Sequence, residues 1–471
     1  MKRLLQLFQG KLMDKENHSY SKRIGARVFS EANDLKRTPE ALAIDLNWEL
    51  ADIIKVISGE ADTKMGSKLL FEMANHYPIS LRDIWVEPDD TDNGVVVVSG
   101  DQSAATARVF NRLNENGELT PYYEYRDTAM SRLAPYRPEW IRELRYVADS
   151  NPENPDVAFN NGHVLHQLTF FIGHVNFYWK IGNKKFSREM NTGDSALITP
   201  FIPHSFTSRS RDRKNQGLII AVTYRGDVNR AAEDLSRLTI KDMNNLSGNL
   251  RKPTSVFAAR MQRLLQSESL TVGDLISKLQ EAGLSPSEAQ MLASATHIPN
   301  QNGMDTLAKV LKINLSDLLV YPMTGEEEVV VSARSDNTPR LFPDGNLPLC
   351  RLHELARSKL QPNQRSFDIE LTGKTSTDLT SGFKHHLHEY LFNYSEQPIE
   401  LLWGAGRHIE LPPSGSAYIT PLTEHWLQGP ENTRVLMVRV PGNLTDQMFN
   451  EFASFAESGK ERAIMETKRW F

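Results

Sequence analysis

The sequence predicts an α+β protein made of two tandem repeats, each a helix-turn-helix-like helical module followed by a jelly-roll β-barrel. Three observations carry this reading. Ser195-Ala-Leu-Ile-Thr-Pro-Phe-Ile-Pro-His204 recurs without a gap as Ser416-Ala-Tyr-Ile-Thr-Pro-Leu-Thr-Glu-His425. At nearly the same offset His163-x-x-x-Gln167 meets His385-x-x-x-Glu389, and upstream Ile79-Ser-Leu-Arg-Asp-Ile84 pairs with Ile313-Asn-Leu-Ser-Asp-Leu318. Between these landmarks the apolar pattern changes from helical spacing to short β-branched and aromatic runs, once in each half.

In chain order, residues 1–90 form the first helical module. Leu42, Ile44, Leu46, Leu50, Ile53, Ile54 and Ile57 recur at helical spacing, Thr38-Pro39-Glu40 reads as an N-cap with proline in the first turn, and Gly59 reads as a stop. Residues 91–225 form the first β-module. Its strands are Val95–Val98, Leu168–Ile172, Val175–Trp179 and Leu218–Tyr224, punctuated by Gly173, Gly182 and Gly193. A linker helix covers 226–253. The second helical module covers 254–327, with Thr271, Leu275, Leu279, Leu284 and Leu318 in matching roles, and the second β-module covers 328–445. A C-terminal helix and tail close the chain at 446–471.

Bulk properties exclude several classes. The 471 residues are 39% hydrophobic and 24% charged, with a net charge of −5, which argues against nucleic-acid binding by bulk charge. The single cysteine, Cys350, leaves no internal disulfide and no cysteine-based zinc site. The apolar run at Met1–Gly10 is too short for a signal peptide, and nothing approaches a membrane span, so a cytoplasmic protein is expected.

The chemistry concentrates in two stretches, Asn160-Asn161-Gly162-His163-Val164-Leu165-His166-Gln167 and Ile198-Thr199-Pro200-Phe201-Ile202-Pro203-His204. A histidine, a second ligand four residues on, and a distant Pro-x-x-Pro-His hairpin is the layout of a cupin metal site. Two imidazoles and one side-chain oxygen on one face of a metal leave positions open for substrate and O2, which suits non-haem Fe(II). The usual cupin glutamate is replaced here by Gln167, an amide that keeps the oxygen and removes one negative charge. Strand alternation would put His163, Leu165 and Gln167 on one face, with His204 on a neighbouring strand, while His166 faces away and His174 stays outside the ligand set.

These residues resemble the 2-hydroxyethylphosphonate dioxygenase and methylphosphonate synthase family, over nearly the whole chain. The family's dioxygenase branch places a carboxylate six residues before the last histidine, where this chain has Ile198. Its synthase branch has glutamine four residues after the first histidine, as at Gln167, so the chain is similar to that branch. The resemblance implies Fe(II) held by His163, Gln167 and His204, and O2-dependent carbon–carbon cleavage of 2-hydroxyethylphosphonate. The synthase outcome is methylphosphonate with carbon dioxide or bicarbonate; the dioxygenase outcome is hydroxymethylphosphonate with formate. It also implies that Asn160 and Arg112, or Arg108 in its place, bind the phosphonate. Tyr125 would donate to substrate or oxygen, and Lys36 would close the site from a neighbouring subunit of a homo-oligomer. A phosphonate dianion calls for such cationic, amide and phenol donors.

The second set, His385, Glu389 and His425, is complete on paper, yet its leading turn is Ser381-Gly-Phe-Lys-His385, so a structural role is expected. A helix-turn-helix fused to a cupin is also the plan of many transcription regulators. The candidate recognition segments, Trp48–Ile57 and Ser285–Ser294, are poor in the Arg, Lys, Asn and Gln that read base edges, which weighs against that alternative.

Overall fold

The computed structural model describes residues 20–323, 327–343, 347–375, 382–404 and 406–470. The N-terminal stretch read above for a signal segment, and Ser381, lie outside them. The protein is α+β with antiparallel sheets.

Residues 20–34 are helical and are followed by helices Pro39–Leu46, Leu50–Ile57 and Thr63–His76. Thr38 caps as expected, its hydroxyl accepting from the Ala41 amide at 3.3 Å. The pattern from Leu42 to Ile57 is not one helix, because Asn47 adopts a left-handed conformation (φ 55°) and ends the first piece. The break changes the facing of the apolar residues. Leu42 and Ile53 enter the core with Ile24, Leu69 and Met73, whereas Ile44 is 80% exposed and Ile54 50%. A second helical cluster gathers around Phe257, Leu275, Leu279, Leu307 and Leu318, on helices whose starts at Thr271 and Ser285 carry capping boxes.

The first seven-stranded sheet runs, edge to edge, Val329–Ser332, Ser195–Ile198, His166–Ile172, Leu218–Tyr224, Tyr136–Glu143, Leu119–Asp127, Arg108–Leu113. The second runs Val95–Val98, Ser416–Ile419, His388–Asn393, Arg434–Val440, Arg365–Leu371, Cys350–Glu354, Arg340–Phe342. Each has a three-stranded companion: Lys184–Met190, Val175–Ile181 and His204–Ser208 for the first, and Arg407–Leu411, Ile399–Trp403 and His425–Gln428 for the second. Phe171, Phe177, Phe206 and Ile219 fill the space between the first sheet and its companion, and Ile369, Leu391, Leu401 and Leu427 do so in the second. The opposite faces of the two large sheets meet in a third cluster that includes Leu168, Phe170, Val222, Tyr390, Phe392 and Val438. Strands such as Leu218–Tyr224 are therefore buried on both faces, which explains the apolar run from Leu218 to Val222.

One assignment is corrected. Val95–Val98 was expected in the first β-module, but it pairs with Ser416–Ile419 of the second sheet, while Val329–Ser332 pairs with Ser195–Ile198 of the first. The two edge strands are exchanged. Both are short valine-rich runs that need an apolar edge to bury them, and the sequence does not say which edge. Among the described residues no helix is long and apolar enough to cross a membrane.

Candidate active site

His163, Gln167 and His204 come together inside the first β-body, from three different structural positions. Gln167 lies on the strand His166–Ile172, opposite Thr223 on one side and Ile198 on the other. His204 opens the strand His204–Ser208 and pairs with Trp179 in the three-stranded companion sheet. It lines the same cavity as Gln167 but does not neighbour it within a sheet. His163 precedes the strand altogether, in the turn that begins at Asn160. Strand alternation is therefore not what aligns it with Gln167, and Leu165 turns into a separate cavity. His166 does face away, stacking on Tyr224 at 5.4 Å.

The turn is built for this. Gly162 has φ +72°, and a Cβ there would lie 2.6 Å from the Phe201 carbonyl carbon. This close approach lets the Phe201 amide donate to the His163 carbonyl at 2.8 Å, which ties the two ligand-bearing loops together. Asn160 adds a second tie: its Oδ1 accepts from the Gly162 amide at 3.0 Å and from the His204 amide at 2.9 Å.

The donor atoms are oriented for a cation. Nδ1 of His163 donates to the Leu165 carbonyl at 2.9 Å, and Nδ1 of His204 to the Ile202 carbonyl at 2.8 Å. Both rings thus carry their proton on Nδ1 and turn an Nε2 lone pair inward. The Asn160 amide donates to this Nε2 of His204 at 3.0 Å, a bond that a cation on the same lone pair would replace. Gln167 Nε2 donates to the Thr169 hydroxyl at 2.7 Å, so its Oε1 is the atom that faces inward, 3.0 Å from Nε2 of His163. Two lone pairs meeting at that distance call for a positive centre, so the set fits a divalent metal. Burial pushes the His204 imidazole down to about 4, with His163 adding to the effect, which keeps the ring neutral as a metal ligand requires.

A cavity of about 100 Å³ opens on these atoms. Arg112, Tyr125 and Asn160 line it with the three ligand-type residues, as do Tyr123, Glu139, Ala158, Phe206 and Thr223. Arg108, the alternative to Arg112, instead pairs with Asp127 at 2.8 Å. Burial holds the Tyr125 hydroxyl well above its ordinary value, so it remains a proton-bearing donor at neutral pH. A register shift in the strand Leu119–Asp127 leaves Tyr122 opposite no partner, and two consecutive tyrosines then reach inward. Tyr122 and Tyr123 both bring their hydroxyls to Ser205 Oγ, at 2.8 and 3.4 Å. Lys36 does not line the cavity of its own chain. It is exposed at the end of the first helix with φ 57°, and its Nζ donates to the Asn33 carbonyl.

Sequence reasoning missed Glu139. It enters through cross-strand register with Asp127 and Ala221, which no local motif announces. Its burial raises the carboxyl, against the opposing pull of Arg108 and His163.

Methylphosphonate synthase from Nitrosopumilus maritimus (strain SCM1) is 32% identical over 470 residues, 98% of either chain. The chain belongs to the methylphosphonate synthase family. Among solved structures, a Streptomyces albus 2-hydroxyethylphosphonate dioxygenase with its substrate 2-hydroxyethylphosphonate and Fe(II) bound is 30% identical. It superposes with a TM-score of 0.81, covering 96% of this chain and 99% of that one. A variant of a hydroxyethylphosphonate dioxygenase shares the fold at 17% identity, with a TM-score of 0.71 over 93% of this chain and 98% of that one. No protein-family model matches the sequence.

Proposed function

We propose that this protein is an Fe(II)- and O2-dependent enzyme that cleaves the carbon–carbon bond of 2-hydroxyethylphosphonate to give methylphosphonate and carbon dioxide or bicarbonate. The observation that carries the reading is Gln167 with Ile198 directly across from it, buried and 1% exposed. That pair supplies an amide oxygen and an apolar wall where the dioxygenase outcome would use a carboxylate. His163, Gln167 and His204 would hold the iron, which supplies the oxygen chemistry when bound. Arg112 and the Asn160 amide would receive the phosphonate, and Tyr125 would donate to a substrate or oxygen atom. Glu139, whose carboxyl burial raises above its ordinary value, adds an acidic group to the wall. The small cavity and its aromatic lining would limit the access of bulk water to a bound substrate. The atoms of the substrate and O2 balance as methylphosphonate plus bicarbonate, so no external reductant is required.

The wider plan belongs to the same proposal. The two β-bodies are cupins, and the chain is a duplication of a helical module and a cupin. The matching strand orders of the two large sheets support it, as do the matching pairs Gln167–Ile198 and Glu389–Ile419. Lys36, exposed and away from its own cavity, reaches the site of a neighbouring subunit in a homo-oligomer.

The test is to load the protein with Fe(II) without oxygen, add 2-hydroxyethylphosphonate and air, and follow phosphorus by NMR. Methylphosphonate is expected. Hydroxymethylphosphonate would overturn the branch assignment, and unchanged substrate in protein shown to hold iron would overturn the substrate.

A further inference from the structure

The second ligand-type set is complete in residue type, yet it is arranged differently from the first. Glu389 is fully buried, with Nε2 of His385 2.8 Å from its Oε2 and Nε2 of His425 2.7 Å from its Oε1. A cation is present that the first site lacks: Arg439 Nε donates to Glu389 Oε2 at 2.6 Å. Register explains how it arrives. Arg439 lies directly opposite Glu389 on the neighbouring strand, where the first sheet places Thr223 opposite Gln167. The guanidinium is seated over the rings of Phe383 and Phe367, at 5.1 and 5.5 Å, and Phe342 stacks on Phe383 at 4.4 Å.

A buried carboxylate must be matched by a cation. In a metal site the metal does this, and here the guanidinium does. Both cannot occupy the space, because a metal bound to His385, Glu389 and His425 would leave Arg439 buried against a second positive charge. We propose that Arg439 is an internal counter-cation standing where a divalent metal would bind, so the residue opposite the third ligand decides which β-body takes metal: Thr223 admits it and Arg439 excludes it. The inference concerns metal occupancy alone and does not depend on the substrate assigned above.

The experiment uses the full chain with its first site emptied, His163→Ala/His204→Ala, and Co(II) as the probe, followed by metal content and visible absorption. With Arg439 intact, no cobalt should be retained. Adding Arg439→Thr should restore about one Co(II) per chain with imidazole-ligand bands, and a further His385→Ala should abolish it. The Arg439→Thr chain should also melt earlier in chelator and recover when cobalt is added, since the metal replaces the lost cation. Should that chain fail to fold without metal, Glu389→Gln/Arg439→Thr copies the first site's own glutamine–threonine pair and leaves no buried charge, and it should bind cobalt too. Cobalt held at His385 and His425 with Arg439 in place would overturn the proposal. So would folded threonine variants that take up none.

Discussion

At Gly162 the backbone and the chemistry depend on the same atom. The residue is left-handed, and a Cβ would strike the Phe201 backbone, so Gly162→Ala is strained twice over. It should cost about 1–3 kcal/mol and loosen the loop that carries His163. The expected outcome is a fall in melting temperature together with at least a tenfold weaker iron affinity, read by thermal unfolding and metal titration. His204 offers a pH test. Its imidazole sits at about 4 when folded, against about 6.5 when free, so the unfolded chain binds the extra proton between those values. Its stabilising effect is thus complete above about pH 6.5 and is lost as the pH falls toward 4, on the order of 3 kcal/mol in the metal-free protein. The buried Glu143 carboxyl, raised well above its ordinary value, titrates in the opposite sense. The measurement is therefore a difference: His204→Asn should flatten the slope of stability against pH across that window in denaturant titrations, and an unchanged slope would contradict the reading.

Among the elements, the exchanged edge strands matter most. Val329–Ser332 completes the sheet edge beside Ile198 and therefore beside Gln167, although it is far away in sequence. Val95–Val98 does the same for the sheet that holds Glu389. A chain cut after residue 225 would leave Ser195–Ile198 with an open edge and Val95–Val98 with nothing to pair with. It should aggregate or remain non-native by circular dichroism and size exclusion, and it should bind no iron. A soluble, folded, iron-binding half-chain would show that the exchange is dispensable. The bulge at Tyr122 is the other decisive local device, since without it two adjacent tyrosines could not both reach Ser205.

For the whole molecule, the back-to-back cluster of Leu168, Phe170, Tyr390 and Phe392 makes each large sheet a wall of the other. The second β-body thereby supports the first through packing, whatever its own metal content. Beyond one chain, Lys36 decides the question of subunits. If it acts across an interface, Lys36→Ala and His204→Ala should each be inactive alone, and mixed oligomers should regain activity, because some sites would combine an intact metal set with an intact lysine. Recovery is read by phosphorus NMR after dissociation and reassembly of the two variants. No recovery in verified mixed oligomers would rule out action across an interface, and an active Lys36→Ala chain would place the lysine outside the chemistry.

The sequence by itself determined the recurring segments, the residue types that line the cavity, and the alternation of helical and β regions. The Asn160–Gly162 turn with His163 and Gln167 is one contiguous motif and the run ending at His204 is another, each legible because its own spacing is local. The tertiary structure alone decided what depends on register. It chose Arg112 over Arg108 for the cavity wall, brought Glu139 into it, set His204 on a different sheet from Gln167, and exchanged the two valine strands. It also put Thr223 opposite Gln167 but Arg439 opposite Glu389, so that two nearly identical ligand motifs meet different charges. The physical reason is common to all of these. A strand's own sequence specifies which of its side chains alternate, whereas the partner strand and the register come from burying both faces of the sheet at once.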